Sequence, residues 1–110
     1  MSRLAALLGF LADDPTDSFT LYALATEYRA AGEAAEAWKY YEILLRDHPA
    51  YVGTYYHAAA LLVELGRRDE AEQVYRTGLV EARKQGQHHA AAELQGAFLK
   101  FQGLDYEDDE

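Results

Sequence analysis

Three histidines are the residues of this chain with the types to hold a metal. His88 opens the last helical stretch and His57 lies in the helix pair before it, so His57, His88 and His89 could meet around a zinc ion. His88 and His89 are adjacent, however, and adjacent side chains diverge on a helix. No carboxylate stands at ligand spacing from them, and the chain has no cysteine to supply a thiolate. They therefore read as solvated or capping histidines, and His48 as a favourable residue near a helix C-terminus. Glu36 and Glu70 recur 34 residues apart and could suggest a carboxylate pair. Each falls early in a helical stretch, where negative charge suits the helix dipole. Ser, Thr, His and Asp are all present, but no nucleophile, base and orienting group arrive in a recognisable context. Gly32, Gly66 and Gly86 end helices rather than open one after a strand, so no phosphate loop is expected. The chain reads as a non-enzyme without metal or cofactor.

Composition bounds the alternatives. The 110 residues amount to one domain, 50% apolar, with 20 Ala against 8 Gly and 2 Pro, a balance that leans helical. The net charge is −9, and five of the acids lie in the last six residues: Asp105, Glu107, Asp108, Asp109 and Glu110. Without them the body carries −4. Residues 104–110 are expected to be a solvated, disordered acidic tail, with a lure for a basic partner as the specific alternative. The acidic balance argues against binding a nucleic-acid backbone, and it would also suit a salt-adapted cytoplasm. The first dozen residues are apolar, but Arg3 is their only early charge and Asp13 and Asp14 interrupt them, so no secretion signal is expected. No apolar run reaches membrane-spanning length. The expected location is cytoplasmic.

The elements follow from a 34-residue repeat spanning Ser18 to Gln85. Tyr22 recurs as Tyr56, Ala25 as Ala59, Gly32 as Gly66, Ala37 as Ala71, Tyr41 as Tyr75 and Leu45 as Leu79. Each copy holds an apolar helical stretch, a glycine and a second helical stretch. Six helices are expected, over about 3–12, 18–31, 34–47, 51–65, 68–84 and 87–102. Ser2 would cap the first, and Asp17 or Ser18 the second. Leu7, Leu11 and Pro15 precede Tyr41, Leu45 and Pro49 by 34 residues, so the first helix is half of an earlier unit. Tyr28, Tyr41, Tyr75 and Leu45 should be core. Gly78 costs about 1 kcal/mol of helix propensity, which makes sense if two helices approach closely there. In the last helix Phe98 and Phe101 belong to the apolar stripe, while Gln95 and Lys100 face water.

This residue set resembles the tetratricopeptide repeat family. The first unit supplies Leu21, Leu24, Ala25, Tyr28, Gly32, Ala37, Tyr41 and Pro49 at the family's pattern positions. The second supplies Tyr55, Ala58, Ala59, Leu62, Gly66, Ala71 and Tyr75. Arg83 stands where a second Pro would be, so the helix before it should run on for an extra turn. The chain is also similar to small stand-alone bacterial members with a capping helix at each end.

The resemblance implies an all-α superhelix of antiparallel hairpins. It would be a single domain over 2–103: a capping half-repeat at 3–15, repeats at 18–51 and 52–85, and a capping helix at 87–102. It implies a non-enzymatic scaffold that receives a peptide or helix of another protein on its concave face. By position that face comprises Phe19, Tyr22, Ala23, Thr26 and Arg29 from the first repeat, and Tyr56, His57, Ala60, Val63 and Glu64 from the second. The chain has no Asn, and Arg29 is the one cation near these places, so the family's carboxylate clamp is not expected. Self-association through an exposed end of the stack is the alternative function, and a metal or small-molecule enzyme the remote one.

Overall fold

A computed structural model describes residues 2–103; the acidic tail lies outside them. The described residues form six helices and no strand: α1 (Arg3–Asp13), α2 (Ser18–Ala30), α3 (Ala34–Asp47), α4 (Gly53–Glu64), α5 (Arg68–Lys84) and α6 (His88–Phe101). They are arranged as antiparallel hairpins of the tetratricopeptide type. None is long and apolar enough to cross a membrane. The chain divides into two compact units that part between Thr54 and Tyr55, in the first turn of α4.

In the first unit, the Ser2 side chain caps α1 by accepting from the Ala5 N–H at 3.1 Å. Leu7 on α1 packs with Ala23 and Leu24 of α2, flanked by Leu4, Leu11, Tyr28 and Tyr40. Arg3 pairs with Glu27 at 2.8 Å, fastening α1 to α2 at its exposed rim. The other face of α2 packs on α3, where Leu21, Ala25, Ala37, Tyr41 and Leu44 are buried. Tyr28 and Leu45, expected in the core, are only half-buried. Tyr28 lies one turn beyond Leu24 and stacks on Tyr40 instead, with ring centroids 5.7 Å apart and planes 3° apart.

The two expected caps of α2 resolve to Asp17, whose carboxylate accepts from the Thr20 N–H at 3.0 Å and the Thr20 hydroxyl at 2.5 Å. Those two bonds hold the Asp17 carboxyl below the ordinary carboxylate range. A depressed pKa stabilises the fold above the unfolded value of about 4 and stops doing so as pH falls through the folded value. Asp17→Ala should therefore lower the melting temperature at pH 7. Melts run down to pH 2 should show the two proteins converging; a gap independent of pH would contradict the cap's charge.

In the second unit, Tyr55, Ala58, Ala59 and Leu62 of α4 are buried, as are Ala71, Tyr75, Leu79 and Ala82 of α5. A Cβ on Gly78 would stand 2.6 Å from Tyr55 Cβ, the close approach its position on α5 implies. Helix α5 packs on α6, where Tyr75 stacks on Phe98 with centroids 5.4 Å apart. The same device ends α2, α4 and α5. Gly32, Gly66 and Gly86 take φ of +81°, +76° and +68°, and the residue after each donates its N–H to a carbonyl five residues back. This pairing satisfies carbonyls that a helix end otherwise leaves open, and the left-handed φ suits glycine.

Two boundaries differ from expectation. Helix α4 begins at Gly53 rather than Tyr51, because Tyr51 and Thr54 donate to the His48 and Tyr51 carbonyls in a turn after Pro49. Helix α5 has 17 residues against 14 in α3, the extension that Arg83 in place of Pro implies.

Candidate protein-binding surface

The predicted residues of the first unit lie on one stripe of α2, at spacings of three and four residues. Phe19, in the first turn, is 67% exposed. Thr26 is exposed, and its hydroxyl donates to the Tyr22 carbonyl at 3.0 Å. Arg29 is half-buried in the last turn. Tyr22 has a packing role as well, with ring edges on Tyr41 at 6.4 Å and Tyr51 at 5.7 Å. Burial, with Tyr41 and Tyr51 beside it, pushes its hydroxyl pKa up. Ala23 turns into the core rather than onto this surface.

In the second unit, Tyr56, Ala60, Val63 and Glu64 of α4 line one cleft of about 490 Å³. Its other walls are Ala97, Lys100 and Phe101 of α6 and Arg68 and Tyr75 of α5. Ala60 and Ala97 keep the space open, because larger side chains there would fill it. The Arg68 guanidinium lies 4.2 Å from the centre of the Phe101 ring and donates to the Phe101 carbonyl at 2.8 Å. Tyr75 flanks the same ring at 5.5 Å. Phe101 is thus held on two sides, a rigid aromatic wall that loses little entropy on contact. His57, predicted with this set, instead meets the Tyr56 ring edge at 5.3 Å.

The α5 and α6 walls are absent from the predicted set, and Lys100, expected to face water away from the core, is a cleft residue. A signal for them exists when positions are counted back from the glycine that follows each helix. Ala60, Val63 and Glu64 lie six, three and two residues before Gly66, and Ala97, Lys100 and Phe101 lie six, three and two before Gly103. Thr26 and Arg29 hold the first two of those places before Gly32. The spacing from Gly66 to Gly103 is 37 residues instead of 34, because α5 is three residues longer than α3. A strict 34-residue frame therefore misses the third face.

The candidate chemical groups take structural places. Glu36 pairs with Lys39 at 2.8 Å, and Glu70 accepts from Arg67 at 2.8 Å, each glutamate in the first turn of its helix. Arg67 holds Glu70 below the ordinary carboxylate range. His89 pairs with Glu93 at 3.2 Å, His88 is exposed, and His48 ends α3 with its N–H on the Leu44 carbonyl at 2.8 Å. Among the described residues, no group of three or more His, Cys, Asp or Glu could hold a metal ion.

These helix hairpins, their terminal glycines and the cleft between first helices have counterparts in known proteins. A model of the tetratricopeptide repeat family matches residues 28–94. The crystal structure of a tetratricopeptide repeat domain protein from Salinibacter ruber is 43% identical, with a TM-score of 0.76 over 81% of this chain and 99% of that one. A solution NMR structure of a tetratricopeptide repeat domain protein from Salinibacter ruber is also 43% identical, with a TM-score of 0.77 over 84% of this chain and 94% of that one. No curated protein matches the chain. With the family's repeat matched over more than half its length, this chain belongs to the tetratricopeptide repeat family.

Proposed function

We propose that the chain is a non-enzymatic interaction module that receives a peptide or helix of another protein, with the α4–α6 cleft as its principal contact surface. The observation that carries this reading is the cleft itself: rigid aromatic walls, two alanines between them and cations at the edge. That combination gives a partner segment apolar area to bury and charges to fix its register. The exposed α2 stripe, with Phe19, Thr26 and Arg29, is the corresponding surface of the first unit.

Ala60→Arg would fill the cleft with a helix-compatible side chain, and Tyr56→Ala would remove one aromatic wall. Each should weaken binding of a partner captured by the wild-type chain at least about tenfold, or about 1.4 kcal/mol. Val80→Ala is the control, because Val80 is 63% exposed on α5 and is not part of the cleft lining. Melting curves verify folding and titration calorimetry reads the affinities. Equal affinity in all three variants would remove the cleft from the contact surface.

A further inference from the structure

The cleft pairs two cations, Arg68 and Lys100, with one acid, Glu64, among Tyr56, Tyr75 and Phe101. It therefore favours a segment that combines carboxylates with apolar or aromatic side chains. Such a segment exists in the chain itself. Residues 104–110 contain Leu104, Tyr106 and five carboxylates. They follow Gly103, whose φ of +75° ends α6 two residues after Phe101 and three after Lys100. We propose that this segment occupies the α4–α6 cleft of its own chain as an internal ligand, which an external partner must displace.

The inference rests on the reading of the cleft as a binding surface. Attachment beside the cleft holds the segment at an effective concentration on the order of millimolar, so weak contacts suffice. Seven residues extend at most about 25 Å, enough to lie along the cleft from its Phe101 edge. Docking against Arg68 and Lys100 also relieves the mutual repulsion of five neighbouring carboxylates. An external partner of like chemistry, acidic with an aromatic anchor, would compete for the same place. Its apparent affinity would be reduced by the fraction of chains whose cleft is already filled.

The test uses the full-length protein and its amide NMR spectrum. One variant carries D105N, E107Q, D108N, D109N and E110Q together; a second carries Lys100→Glu. Docking predicts that both variants shift the amides of Tyr56, Ala60 and Val63 in α4, which are remote in sequence from the changed positions. Raising salt to about 1 M, where the screening length is about 3 Å, should move the wild-type α4 amides toward the neutralised variant. Changes confined to α6 and the residues after it would overturn the proposal. So would α4 shifts that vanish on dilution, which would place the tail in the cleft of a second copy. The partner titrations with Ala60→Arg are read separately. Lost partner binding with unmoved α4 amides rejects the internal ligand alone, and moved amides with unchanged partner binding reject the cleft as the partner site.

Discussion

Tyr41→Ala is expected to lower the unfolding free energy by about 3–5 kcal/mol, the range for removing a buried aromatic ring. Tyr41 is 1% exposed on α3 and is the largest of the fully buried side chains. It lies in the hairpin whose other buried residues are Leu21, Ala25, Ala37 and Leu44, two of them alanines with little side chain to collapse into the gap. Its loss also removes the ring edge that Tyr22 meets at 6.4 Å. A domain of this size commonly has about 5–15 kcal/mol in total, so one substitution would consume a large share of it. Because repeat stacks can open in parts, hydrogen exchange of the α2 and α3 amides is the appropriate readout. Those amides should lose most of their protection. Tyr41→Phe keeps the ring and should cost less than about 1.5 kcal/mol. An alanine variant that lost under about 1 kcal/mol would contradict the central place given to this ring.

The second large effect is a difference of sign between two glycines. Helix propensity alone says that either Gly78→Ala or Gly96→Ala should gain about 1 kcal/mol. Space decides otherwise. At Gly78 a methyl group would meet Tyr55 Cβ at 2.6 Å and Cγ at 2.8 Å. Tyr55 is 2% exposed, and its Cβ is fixed to the α4 backbone, so a side-chain rotation cannot remove the clash. Helices α4 and α5 must part, at a cost of about 1–3 kcal/mol that outweighs the propensity gain. At Gly96 in α6 nothing lies within 4 Å of the added carbon. Urea denaturation should show Gly78→Ala less stable than wild type and Gly96→Ala more stable. Two stabilised variants would mean that α4 and α5 do not approach as closely as Tyr55 and Gly78 indicate.

The fold was legible because its determinants are spaced along the chain at one interval. Gly32 and Gly66 must reverse the chain, Ala37 and Ala71 must be small where helices meet, and Tyr41 and Tyr75 must fill the space between them. Each requirement selects a residue type, and each recurs after 34 positions. Tyr28 shows where such reasoning overreaches. It fits the helical stripe, but stands one turn past Leu24 and is only half-buried against Tyr40.

The surface was legible only in part. Tyr56, Ala60, Val63 and Glu64 were marked by their face of α4, and they share a cleft. Lys100 and Phe101 escaped because three added residues in α5 carry α6 out of the repeat's frame. Arg68 escaped for a different reason: its role depends on reaching a ring 33 positions away. Sequence periodicity describes backbone frames, while the reach of one long side chain is settled only by packing.

The account rests most heavily on the α4–α6 cleft as the place where another protein is held. Hydrogen exchange of the chain with and without its captured partner measures this directly. The account predicts slowed exchange in α4 from Tyr56 to Glu64 and in α6 from Ala97 to Phe101, with little change in α3. Slowed exchange confined to α3, with α4 and α6 unchanged, would contradict it.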